Sequence, residues 1–116
     1  MTEPDQPRAI HPCGCVTASP GHLKTAQELG LDSQFAEVSV CVCQDCGQLW
    51  LRYFYEVEAF TGSARWYLGA ITQQQLATLR LESAKGILED LDEYYYGGSY
   101  YQGQQGKTSG KILLLP

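Results

Sequence analysis

The sequence has no long apolar run. No stretch approaches the ~18 residues that a membrane-crossing helix requires, so no membrane span is expected. Positive charge is also scarce: 8 Lys plus Arg stand against 13 Asp plus Glu, for a net charge of -5. Binding to a phosphate backbone is driven by a basic face, so nucleic acid is a disfavoured partner. Met1 to Arg8 is polar and lacks an apolar segment behind it. It does not read as a secretory signal, and the expected compartment is the cytoplasm. There is no nucleophile elbow, and the two histidines, His11 and His22, both lie near the N-terminus. Glu56 and Glu58 share a strand face but read as solvated acids. No catalytic constellation emerges. Gly106-Lys107-Thr108 has Tyr101 where a phosphate loop needs its first glycine, so nucleotide binding is not expected. No internal repeat is visible.

What remains is a chain of 116 residues, 44% apolar and 18% charged. That is one domain with a modest core. Residues 1–10 read as a flexible lead-in and residues 11–116 as the folded unit. Ser19-Pro20 looks like a helix start, Gly30 like its end, and Leu23, Ala26 and Leu29 recur at a spacing of three. A short helix is predicted there. From Phe35 the period becomes two, with Ala36, Val38, Val40 and Val42 on one face. Gln48 to Phe60 continues the alternation, placing Leu51, Tyr53 and Tyr55 opposite Trp50, Arg52 and Phe54. After Thr61-Gly62-Ser63, Arg65 to Ile71 makes a third strand. Three strands with short turns form an antiparallel meander. Thr72 and Gln75 match a capping box, and Ser83 offers a second cap. Ala84, Ile87, Leu88, Leu91 and Tyr95 follow helical spacing up to Gly97-Gly98. Gly97 to Gly110 reads as a Gly/Tyr-rich loop. Ile112 to Leu115 is apolar enough for a last edge strand or a dimer contact. The expected class is α+β: a three-stranded antiparallel meander, then a C-terminal helical region and the loop.

Five cysteines stand in two groups: Cys13 and Cys15, then Cys41, Cys43 and Cys46. Their odd number in a reducing compartment disfavours a disulfide framework. Cys43-x-x-Cys46-Gly47 sits between two strands. Two intervening residues let both sulfurs converge on one ion. The glycine permits a turn that points amide N–H groups at the sulfurs and tempers their charge. Cys13-x-Cys15 supplies a second pair across 27 intervening residues, a loop long enough to return to the hairpin. Four thiolates around a tetrahedral ion make a closed, structural zinc site with no open position for water. Cys41 competes for a ligand place, about 6–7 Å from Cys43 along the strand, though it reads chiefly as a small buried hydrophobe. His11 and His22 are further alternatives, and iron is the rival ion.

C-x-C, a loop and then C-x-x-C-G on a β-hairpin resembles a zinc ribbon over roughly residues 11 to 60. The likeness is to a fold group, and it implies a zinc-ribbon-like hairpin holding its metal through Cys13, Cys15, Cys43 and Cys46.

The excess acid is local. Glu82 to Glu93 holds five acids and one lysine, a charge of -4. Tyr94, Tyr95 and Tyr96 follow. Acids with tyrosines suit a surface that meets a basic protein, and Asp90, Glu93, Tyr94 and Tyr96 are the candidate partner-binding residues. The expected function is that of a small zinc-binding protein-interaction module, of adaptor or immunity type. The alternative is a nucleic-acid-associated zinc ribbon that stacks bases on rings such as Trp50, Tyr53 and Phe54.

Overall fold

A computed structural model describes residues 23–57 and 61–114. Six strands run in sequence order across one antiparallel sheet: β1 (Leu23–Leu31), β2 (Glu37–Cys43), β3 (Leu49–Tyr55), β4 (Arg65–Ile71), β5 (Tyr94–Gly97) and β6 (Gly106–Thr108). Two short helices, α1 (Gln73–Thr78) and α2 (Ala84–Asp90), lie between β4 and β5. Strand takes 42% of the described residues and helix 21%, and the sheet does not close on itself. The expected three-stranded meander with a zinc-ribbon-like hairpin and a helical C-terminal region is therefore overturned. The strands read from alternation are only the middle of a wider sheet.

The first added strand stands where a helix was expected. β1 pairs with β2 from Leu23↔Cys43 to Leu31↔Glu37, with register shifts between Thr25 and Gln27 and between Glu28 and Gly30. Each shift inserts one extra residue, Ala26 and Leu29 respectively. Bulges at intervals of three stretch the period of two into a spacing that imitates a helix turn. Leu23 and Leu29 consequently pack into different apolar clusters instead of sharing one helix face.

The second correction concerns the C-terminus. The helix expected to reach Tyr95 stops at Asp90, and Leu91 is already extended at φ -70°, ψ 152°. Tyr94 to Gly97 then pairs with β4 through Tyr67↔Tyr96 and Leu68↔Tyr95. Consecutive tyrosines favour a half-buried pleat, and β4 offers an open ladder. The expected loop also contains a 3-10 turn (Ser99–Tyr101) and β6, which pairs with β5. Ile112 is buried in irregular backbone, with its N–H bonded to Glu89.

The capping box at α1 is present in full. Thr72 Oγ1 accepts from Gln75 N at 3.0 Å, and Thr72 N donates to Gln75 Oε1 at 2.8 Å. Ser83 does precede α2, but its hydroxyl bonds back to Arg80 instead of capping the helix.

Both faces of the sheet carry an apolar cluster. The main cluster joins Val38, Val40, Leu51, Tyr53, Tyr67, Ile71 and Tyr94 to Ala84 and Leu88 of α2. Gly69 makes this approach possible: a Cβ there would fall 2.4 Å from Leu91 Cδ1 and 2.6 Å from Leu88 Cδ2. The other face carries a smaller cluster of Cys41, Cys43, Trp50 and Leu68, with Leu23, Trp66 and Tyr95 packed on it. All of these side chains come from strands. Trp50 and Tyr95 meet edge-on at 5.9 Å.

Candidate functional site

The β2–β3 hairpin places the described cysteines. Its ladder ends at Val42↔Leu49, and Cys43 N then donates to Gln48 O at 3.0 Å. Gln44, Asp45, Cys46 and Gly47 form the connection, with Gly47 N bonded to Cys43 O at 2.9 Å. Gly47 has φ +78°, a left-handed conformation that disfavours any side chain. The C-x-x-C-G spacing thus folds as a tight turn with its glycine where the turn demands one. Cys43 is buried at the strand end, and Cys46 is exposed on the turn.

Cys41 lies on the same sheet face as Cys43 and is likewise buried. Burial pushes its thiol above the ordinary value, against the opposing pull of the Arg52 charge and hydrogen bonds with Ser39 and Thr25. Buried in this way, Cys41 packs as a small hydrophobe. Cys13, Cys15, His11 and His22 lie outside the described residues. Among the described residues no group of three or more His, Cys, Asp or Glu side chains gathers as a metal site. Cys43 and Cys46, one buried at the strand end and one exposed on the turn, are the described members of the expected ligand set, and thiols are donors that zinc takes.

The candidate partner-binding residues divide by depth. Asp90 is exposed at the end of α2. Glu93 is half-exposed, with Lys107 Nζ 3.7 Å from its Oε2. Tyr94 is in the core at 2% exposure, and its hydroxyl donates to Gly110 O at 2.7 Å. Tyr96 is half-buried, its ring centroid 4.5 Å from that of Tyr101. The surface these four present is therefore made by the two acids and the rim of one ring. The neighbouring Glu89 is drawn inward: Lys85 Nζ stands 2.7 Å away and Ile112 N 2.9 Å away. Partial burial works to raise its carboxyl, but these donors and the charges of Lys85 and Lys111 hold it below the ordinary range.

Two polar features escaped the sequence reading. Asp32 organises the β1–β2 turn: its Oδ1 accepts from Gln34 N at 2.9 Å and Ala36 N at 3.0 Å, and its Oδ2 accepts from the Tyr53 hydroxyl. Aspartate after glycine and leucine at a strand end was the available turn signal. Arg65 is fully buried. Its Nε donates to Ser63 O at 3.1 Å, while Nη1 and Nη2 have no hydrogen-bond partner among the described residues. The guanidinium carbon lies 3.7 Å from the Tyr100 ring centroid and 5.1 Å from that of Tyr55. No sequence signal marks an arginine of this kind, because strand arginines are ordinarily solvated.

No described helix is long and apolar enough to cross a membrane. No family model, curated protein or solved structure matches the chain.

Proposed function

We propose that this chain is a small zinc-binding, cytoplasmic protein-interaction module whose metal is structural. The observation that carries the reading is the Cys43–Gly47 turn. It joins two strands, holds two thiols at knuckle spacing and places Gly47 in the left-handed conformation such a turn requires. Cys13, Cys15, Cys43 and Cys46 would hold the ion. The zinc would supply cross-linking of the N-terminal segment to the sheet, since a closed thiolate site leaves no position for chemistry. The role of adaptor or immunity type rests on acidity: a net charge of -5, with Asp90 exposed at the end of α2 and Glu93 half-exposed just after it. Such a surface favours a basic protein, chiefly by steering encounter.

Elemental analysis of chain purified without chelator tests the metal, with about one zinc per chain expected and none overturning it. Association with a basic partner is expected to weaken as salt rises. The pair Asp90→Lys and Glu93→Lys should slow that association while leaving zinc content and melting nearly unchanged. Unaltered rate and affinity would reduce the acids to a solvated face.

A further inference from the structure

The β1–β2 turn carries an aromatic ring that the fold does not use. Phe35 N donates to Asp32 O at 2.9 Å, and Asp32 N donates to Ala36 O at 3.0 Å. Together with the two amides bound by Asp32 Oδ1, these bonds fix a short turn that closes through a left-handed residue. That residue is Phe35, at φ +66°. Glycine or asparagine ordinarily fills this position, because a Cβ is strained there. Phe35 is also 77% exposed, the highest figure among the exposed large hydrophobic residues that the structure describes. Folding gains neither burial nor backbone ease from it.

The ring has a setting. Leu31, 54% exposed, is paired with Glu37, and Glu37 with Phe54. Directly opposed residues share a face, so these side chains form one row on the face away from the helices. Leu31, Phe35, Glu37, Phe54 and Glu56 line an open cleft of about 270 Å³. A second cleft of about 310 Å³ shares Leu31 and Glu37 and adds Glu28 and Arg52. Across both, three carboxylates face one guanidinium, and that guanidinium is engaged over the Phe54 ring at 5.1 Å. The outer edge of β1 is interrupted by its two bulges, which discourages strand addition. Recognition here therefore works through side chains.

We infer that the Phe35 turn and the adjoining Leu31–Phe54 cleft dock a basic, amphipathic protein segment, with apolar side chains against Phe35, Leu31 and Phe54 and cations against Glu37 and Glu56. The inference rests on the reading of the chain as a protein-interaction module and names a second surface for it, lined by residues other than Asp90 and Glu93.

The test is an amide-shift titration of the full, metal-retaining chain with a short peptide alternating lysine and leucine. A peptide with glutamate for each lysine is the control. Shifts are expected to centre on residues 31, 35, 37, 54 and 56 with the basic peptide only. Phe35→Gly should keep the rest of the spectrum and weaken the basic peptide about tenfold. Absence of shifts, equal response to the acidic peptide, or indifference to Phe35→Gly would each overturn the assignment. Shifts at these residues on concentration alone would give the cleft to a second copy and also overturn it. Zinc content and salt dependence at Asp90 and Glu93 are read separately, so either proposal can fail without the other.

Discussion

Tyr53 reaches from the middle of β3 to the β1–β2 turn and donates its hydroxyl hydrogen to Asp32. Tyr53 is fully buried and Asp32 is half-exposed, so the bond ties a surface turn to the core. Hydrogen bonds to charged groups contribute about 1.5–3 kcal/mol. Tyr53→Phe should cost near the lower figure, because water can reach the released carboxylate. Asp32→Ala should cost more, since it also frees the amides of Gln34 and Ala36. Urea unfolding of both variants checks the order, and a larger loss for Tyr53→Phe would contradict it.

Alkaline pH should unfold this protein early. Burial raises Tyr53 above its ordinary value of 10.0, and Asp32 adds to the shift by hydrogen bond and charge. Burial likewise raises Tyr67, with help from the Tyr101 hydroxyl, and Tyr94, beside Glu89. Below pH 10 both states keep these protons, so the contribution is fully present. Above it the unfolded chain binds fewer protons than the native one, and stability falls as pH rises. Each tyrosine steepens the loss by up to about 1.4 kcal/mol per pH unit. Denaturant midpoints measured from pH 8 to 11 should be flat at first and then drop, with a shallower drop in Tyr53→Phe.

Legibility followed locality. The capping box of Thr72 and Gln75 could be read directly, because both hydrogen bonds lie within four residues. β2 to β4 were visible because a buried face repeats every second residue over their length. β1 was hidden by its own bulges at Ala26 and Leu29. β5 was hidden because Leu88, Leu91 and Tyr95 satisfy helical spacing as well as strand alternation satisfies Tyr94 and Tyr96. Only the open ladder of β4, a tertiary fact, decides between them. At the candidate site, the Cys43–Gly47 turn was legible from spacing. Phe35 was not, since nothing in a phenylalanine announces a left-handed backbone.

Cysteine replacements should rank by ligation and not by burial. Cys46 is exposed, and a surface Cys→Ser change alone costs within about 0.5 kcal/mol. Structural zinc contributes on the order of 10 kcal/mol in small modules. Cys46→Ser and Cys43→Ser should therefore lower the melting temperature sharply and release zinc. Cys41→Ala should leave zinc bound and cost about 1 kcal/mol for the vacated space. A mild Cys46→Ser with a severe Cys41→Ala would remove Cys46 from the ligand set.

Arg65 offers an inverted ranking of substitutions. A buried charge is costly, and among the described residues two ring faces and the bond to Ser63 O offset that cost. A desolvated cation–π contact contributes about 2 kcal/mol. Arg65→Lys keeps the charge but loses the planar stack and the Nε bond, and its ammonium is more strongly hydrated. It should destabilise by about 2 kcal/mol or more. Arg65→Met removes the charge while filling similar space between Tyr55 and Tyr100, so it should stay within about 1 kcal/mol of the parent. The conservative change is thus expected to be the worse one. If thermal unfolding shows Arg65→Met falling below Arg65→Lys, the guanidinium is held by charge and not by its rings.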